Sequence, residues 1–205
     1  MPRPRFEKLA AAEQQAILLA ALDEFSARGF NAASLNRIIE TAGISKGSMY
    51  YYFDGKDDLY AHVARVELGR LIEGAGPFAV PTAREPDAFW STLEGYYLSV
   101  MGALVASPKL AALARDWLVA SASPALQRAQ REMEQALVPW LEATLAAGQR
   151  ARAVRKDVPV GLLVALVAGM GQAMDGWLVT QALDQKSFRK MARLFIEMVR
   201  RAVAP

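Results

Sequence analysis

Cysteine is absent from this chain and histidine occurs once, at His62. Without cysteine there are no disulfides and no thiolate metal ligands. With one imidazole, zinc sites and imidazole-based catalytic triads lack their parts. The apolar helices carry no paired carboxylates at i, i+3 spacing, so no nucleophile–base set assembles. An enzyme is not expected, and neither is a metal or a cofactor. Strand-like alternation is missing, as are internal repeats. The N-terminus, Met1-Pro2-Arg3-Pro4-Arg5-Phe6-Glu7-Lys8, puts prolines and charges where a secretory leader needs an apolar run. That predicts a cytoplasmic protein with a flexible N-terminal arm. One uncharged stretch, Val158 to Met174, is shorter than the roughly 20 residues of a membrane span. A buried helix is expected there, and no membrane partner.

What is present is apolar: 53% of the 205 residues, against 22% charged, enough for a sizeable core and too much for disorder. The net charge of +3 is unevenly placed. Residues 1–60 hold seven Lys and Arg against eight Asp and Glu, a net of −1; the remainder nets +4. Bulk charge therefore makes no case for nucleic acid, and local placement must.

Helical spacing runs from Lys8 to Arg28, with Ile17, Ala21 and Phe25 on one line, Leu18 and Leu22 beside it, and Gly29 as the C-cap. Ser34 caps a second helix to Ala42 with Leu35, Ile38 and Ile39 inward, and Gly43 breaks it. Ile44 plugs the turn, and Ser45 caps a short third helix, Lys46 to Tyr52. Two short helices joined by such a turn make a helix-turn-helix. Asp54 is the expected cap of a fourth helix running towards Gly74. The stretch from Gly74 to Pro86, with Pro77, Pro81 and Pro86, is the clearest break in the chain. Only helices follow: Pro86 to Ser107, Pro108 to Ala122, Pro124 to Ala147 with a kink at Pro139, Pro159 to Leu183, and Ser187 to Ala202 with Ser187 as its cap. The fold class is all-α, about nine helices. Residues 1–55 are expected to form a three-helix helix-turn-helix domain, and residues 56–205 a larger helical domain.

The segment Ser45 to Lys56, SKGSMYYYFDGK, carries the most chemistry. Lys46, Gly47 and Ser48 lie at the N-terminal end of the third helix, where a recognition helix meets base edges. Tyr50, Tyr51 and Tyr52 offer hydroxyls for phosphates and ring faces for thymine methyls. Lys56, in the first turn of the next helix, can hold a phosphate together with free amides. Three consecutive helical positions span roughly 200°, so at least one tyrosine is exposed. The run alone leaves core packing, a protein-docking surface and DNA contact all open.

Ile17 to Leu59 resembles the DNA-binding domain of the tetracycline-repressor (TetR) family. The resemblance rests on Ile17, Ala20-Ala21, Phe25, Gly29-Phe30, Ile38, Ala42-Gly43-Ile44-Ser45, Gly47-Ser48, Tyr50-Tyr51-Tyr52-Phe53, Lys56 and Leu59. It implies that Lys46, Gly47, Ser48, Tyr50 and Tyr51 face the major groove and that Ser34, Tyr52 and Lys56 hold phosphates, with Arg37 and Ser45 in the same DNA-contacting set. The family usually has threonine where this chain has Ala33 and alanine where it has Ile39, and Tyr52 is often histidine in relatives. The resemblance further implies a homodimer on a palindromic double-stranded DNA operator. A small hydrophobic or amphipathic effector, acting behind the fourth helix, would release it; repression is the usual outcome. The rival reading is a helical protein-interaction module.

In the back half, Gly161, Ala165, Gly169 and Ala173 recur every four residues and Trp177 continues the line. Such a stripe lets another helix approach closely. With Phe195 and Met198 of the last helix, the TetR-family resemblance implies that it forms the dimer interface; packing within one chain is the alternative. Phe89, Tyr96, Tyr97, Trp117, Trp140, Met170, Met174 and Trp177 are the candidate effector-pocket residues, because small-molecule sites combine aromatic walls with few polar groups. Asp116 and Asp175, in apolar surroundings, are candidates for meeting a cationic ligand or a partner arginine, with solvent as the plain alternative. His62 is expected to be packed or solvated.

Overall fold

The computed structural model describes residues 2–74, 79–119, 123–181 and 184–205. Among the described residues there are helices and no strands. They are α1 (Ala11–Ala32), α2 (Leu35–Ala42), α3 (Lys46–Tyr52), α4 (Lys56–Gly74), α5 (Pro86–Ala106), α6 (Pro108–Val119), α7 (Pro124–Arg150), α8 (Val160–Leu178) and α9 (Gln185–Val203). The expected helix end at Ala122, the end at Leu183 and Pro77 lie outside the described residues. The chain forms two compact units, Met1–Arg70 with Ser107–Met133, and Leu71–Ala106 with Glu134–Pro205. These units follow a different division from the 1–55 and 56–205 domains read from the sequence.

In the first unit α1 packs on α2 and α6, around a core of Ile17, Ala21, Phe25, Ile38, Met49, Leu59, Tyr60 and Leu113. The helix period read from the sequence is that of the buried positions. Gly29 sits at φ +69° inside α1, where the helix breaks and resumes to Ala32. Glycine tolerates that angle because it has no Cβ. Gly43 takes the left-handed conformation (φ +67°) and closes α2. Ser34 and Ser45 cap α2 and α3, their hydroxyls accepting from the N–H of Arg37 and of Ser48.

Three local expectations are corrected. Asp54 does not cap α4: its carboxylate binds Arg3, and its own N–H donates to Asp58 at 3.2 Å. The cap of α9 is Asp184, which accepts from Ser187 N–H at 2.7 Å, so that helix starts two residues earlier than expected. The N-terminal arm is docked, with Pro2 and Phe6 buried.

In the second unit α5 and α8 each pack on α9. The core is Phe89, Trp90, Leu145, Val154, Leu163, Phe195, Val199 and Val203. A Cβ at Gly148 would fall 2.5 Å from Val154 Cγ2 and 2.8 Å from Phe89 Cζ, so glycine is what lets the end of α7 close over this core.

Candidate nucleic-acid interface and effector region

The third helix buries Met49, packs Tyr52 partly against the core and turns Lys46, Gly47, Tyr50 and Tyr51 outward. Lys46 and Gly47 are exposed, Ser48 is half-buried, and Tyr50 and Tyr51 are 46% and 45% exposed. Met49 at the centre anchors the helix, so the residues around it share an outer face. Tyr52 is half-buried, its ring 6.2 Å from Phe6 and 5.8 Å from Tyr51. Ser45 and Ser48 hydroxyls lie 2.8 Å apart and bond each other, which fixes the first turn.

A Cβ at Gly47 would meet only Ser45 Oγ, at 3.7 Å. Nothing inside the chain requires glycine there, so any requirement comes from an external surface. Gly47→Ala is expected to leave the melting temperature unchanged or slightly raised, since alanine is favoured in a helix by roughly 0.5–1 kcal/mol. It is expected to weaken DNA binding at least tenfold where the backbone must approach a groove. A binding curve superposable on wild type would show that no surface approaches Gly47 closely.

The remaining candidate contacts are partly engaged inside the fold. Arg37 Nε binds Glu24 Oε1 at 3.2 Å, and the same carboxylate accepts Ser34 N–H at 2.8 Å. Burial pushes the Glu24 carboxyl up, but the Ser34 N–H and the Arg37 and Arg28 charges outweigh it and hold it below its usual value. The Lys56 ammonium donates to the carbonyls of Asn31 (3.1 Å) and Ala33 (3.2 Å) and sits 4.8 Å from the Phe30 ring centre. It ties the start of α4 to the end of α1 and keeps one N–H for a further acceptor. Ala33 and Ile39, the departures from the family pattern, are both buried. His62 is half-buried between Phe6 and Phe53, and burial first, then the Arg65 charge, push it down to about 4.

Asp116 is half-buried and engaged within the chain. Its Oδ2 accepts Phe30 N–H and, at 3.2 Å, the Tyr60 hydroxyl. The residue closes the break at Gly29 with side-chain oxygens.

Two of the eight expected effector-pocket residues are core. Phe89 is fully buried against Trp90 and the Gly148 turn. Trp117 belongs to the first unit, its ring 6.0 Å from Tyr60. Both are large apolar residues at inward helical positions, and periodicity does not distinguish a pocket wall from a core. Tyr97, Met170 and Met174 are partly buried against the core of the second unit. The Tyr96 and Trp140 rings lie 5.9 Å apart, and Trp177 is 44% exposed. A groove of about 630 Å3 lies elsewhere in that unit, between α5 and α9. It is lined by Gly95, Leu98, Gly102, Phe188 and Arg189 among others, and by none of the eight.

The Tyr97 hydroxyl donates to Asp175 Oδ1 at 2.7 Å. Burial pushes Asp175 up to about 6, and the Tyr97 hydrogen bond only partly opposes this. The folded protein then holds a proton that the unfolded chain, near 3.8, gives up. The stability this group contributes is complete below about pH 4 and is lost as pH rises through about 6. Asp175→Asn is expected to melt like wild type at about pH 4. Near pH 8 it should be more stable by about 2–3 kcal/mol. A gap between variant and wild type that does not widen with pH would contradict this.

The stripe on α8 is exposed along its length: Gly161, Ala165, Gly169, Ala173 and Trp177 all face away from the chain's own core. A Cβ at Gly161 or Gly169 would meet nothing within 4 Å. Packing of this stripe within one chain is thereby excluded among the described residues. Leu162 (61% exposed), Leu166, Leu194 and Met198 (55%) stand bare beside it on α8 and α9. Phe195 is the exception to the expected interface: it is buried, its ring 5.0 Å from Tyr97, because its position on α9 is inward. By length and mean hydropathy α8 also meets the requirements of a membrane span, and little of its apolar surface is buried. The expectation of a buried helix therefore fails for the isolated chain.

The family model described as bacterial regulatory proteins, tetR family, matches residues 17–63. That stretch is similar to the N-terminal domain of tetR-family proteins. The HTH-type transcriptional regulator RutR of Escherichia coli strain K12 is 49% identical over 55 residues, 27% of this chain and 26% of RutR. The chain thus matches about a quarter of that relative's length. Solved structures resemble nearly the whole chain. The fatty acid degradation regulator FadR from Bacillus halodurans has a TM-score of 0.72 at 19% identity, covering 92% of this chain and 97% of FadR. FadR from Bacillus subtilis in complex with stearoyl-CoA has 0.69 at 17%, covering 90% and 96%. The described residues share the all-α fold of these solved structures, with the helix-turn-helix first and a larger helical part after it.

The sequence reading missed Arg3, Arg5 and Phe6, whose docking places them beside α3. The signal available was an apolar residue stranded among charges and prolines. That reading also makes Gly148 the start of a polar link to Asp157, whereas α7 continues through it to Arg150.

Proposed function

We propose that this protein is a ligand-responsive transcriptional repressor. As a homodimer it binds a palindromic operator, and a small hydrophobic or amphipathic effector releases it. The observation that carries the reading is the outer face of α3. On a helix-turn-helix fixed by two serine caps and a left-handed glycine, Lys46, Gly47, Tyr50 and Tyr51 are presented outward, with Ser48 half-buried beside them. Ser34, Arg37, Ser45, Tyr52 and Lys56 support that face and supply phosphate contacts. The protein acts in the cytoplasm and catalyses no reaction. Residues 1–55 read DNA; residues 56–205 bind the effector and dimerise.

The dimer rests on the bare stripe of α8 with Met198 of α9. A helix so apolar and so little covered loses free energy in water, and a second copy meeting it about a two-fold axis covers the same patch on both chains. The small residues allow close approach, and Gln172 and Asp175 fit a protein interface better than a lipid one. An apolar effector is supported by the paired Tyr96 and Trp140 rings, 5.9 Å apart, and by the stearoyl-CoA bound in the FadR structure. Coupling is reciprocal, so effector and operator weaken each other by the same factor.

The test is in vitro selection of random duplex DNA at near-physiological salt. Enrichment of a palindrome with two half-sites is expected. Folded, ligand-free protein that enriches no sequence would end the repressor reading in favour of a helical protein-interaction module.

A further inference from the structure

Residues 2–10 form a docked arm. Phe6 is 2% exposed, its ring 4.9 Å from Phe53 and 5.2 Å from His62. Arg3 N–H donates to Tyr52 O at 2.9 Å, and Arg3 Nη1 to Tyr50 O at 3.0 Å, while the rest of its guanidinium pairs with Asp54. Two prolines, Pro2 and Pro4, lower the entropy lost when this segment orders. The arm is thereby fastened to the C-terminal end of α3. Between its two anchors stands Arg5, exposed, with its guanidinium carbon 3.9 Å from the centre of the exposed Tyr51 ring.

The charges around α3 separate into two groups. Arg3 is paired with Asp54, Arg37 with Glu24, and Lys56 is bonded to two carbonyls. Arg5 and Lys46 carry no ion pair among the described residues. Since residues 1–60 net −1, attraction to a polyanion falls on unpaired cations such as these. An arginine stacked on an aromatic ring keeps its N–H edge free, which is the edge that grips a phosphate. An arm serving only to stabilise the domain would need Phe6, and Arg5 would be idle.

We infer that the docked N-terminal arm is a second DNA-contacting element: Arg5, braced on the Tyr51 ring, takes a backbone phosphate flanking the bases that α3 reads. The inference rests on the DNA-binding reading of α3. Contacts of this kind position a protein on its site and carry no sequence information.

The experiment compares wild type, Arg5→Ala and Arg5→Lys on the selected operator and on a random duplex across a salt series, with melting temperatures as the folding control. Arg5 is exposed, so melting should not change. Arg5→Ala is expected to weaken binding several-fold on both duplexes alike, and to flatten the slope of log affinity against log salt by about one per protomer. Arg5→Lys should restore the slope, because the charge is retained. Wild-type binding with an Arg5→Ala slope and affinity equal to it overturns the inference alone. So does a loss confined to one sequence at constant slope, which would make Arg5 a base contact. A wild type that binds neither duplex overturns the DNA-binding reading, and this inference with it.

Discussion

Gly169→Leu is expected to convert a dimer into a monomer without unfolding the chain. In the isolated chain a Cβ at Gly169 would meet nothing within 4 Å, and the helix itself gains from losing a glycine by roughly 1 kcal/mol. Folding therefore has no objection to leucine. The objection comes from the partner: where two small-residue stripes cross, a leucine side chain separates the helices and forfeits contact along the whole face. Sedimentation should show a single species of half the wild-type mass, with helical content unchanged. Operator affinity should fall on the order of a hundredfold or more, because two linked half-site contacts become one. A Gly169→Leu protein that still sediments as a dimer would mean that the bare face of α8 is covered in some other way.

Asp116→Ala tests the opposite kind of residue, one whose surroundings suggest a ligand and whose contacts are structural. Its carboxylate serves Phe30 N–H and Tyr60 Oη at the point where α1 breaks at Gly29. Tyr60 is fully buried and keeps Leu113 O at 3.3 Å as a second acceptor. The Phe30 N–H donates to this carboxylate. Removing the carboxylate leaves a donor unsatisfied. It also opens the wall beside Gly29, since Asp116 Oδ1 lies 3.3 Å from where a Cβ on that glycine would stand. A loss of about 2–3 kcal/mol is expected. That corresponds to a melting temperature roughly 4–12 °C lower. Asp116→Asn, which keeps an acceptor oxygen, should lose less. A variant with unchanged melting and an altered effector response would return Asp116 to the ligand site.

The two residues show where sequence reasoning succeeds and where it stops. Helix spacing placed Ile17, Ala21, Phe25 and Ile38 in the core because burial on one face of a helix is a local property with a 3.6-residue period. The Ser34 and Ser45 caps and the Gly43 break were legible for the same reason: each is satisfied within four residues of itself. Asp116 was not legible, because its partners Phe30 and Tyr60 are 86 and 56 positions away. Phe89 and Trp117 were placed in a pocket because an aromatic residue at an inward position reads identically whether a ligand or a neighbouring side chain meets it. Phe195 was placed at the interface although α9 buries it, since the last helix offers apolar residues on more than one of its faces.

By itself, the sequence determined an all-helical chain, the positions of the helix-turn-helix and its caps, and the exclusion of cysteine chemistry, all of which depend on residue type and short-range spacing. The tertiary structure alone decided which apolar surfaces remain bare and which charges remain unpaired. It left the small-residue stripe of α8 uncovered, paired Arg37 with Glu24 and Arg3 with Asp54, and laid Arg5 on Tyr51. These are outcomes of which distant segments meet. A side chain's availability for DNA, effector or a second copy is fixed by the contacts its own fold has already claimed.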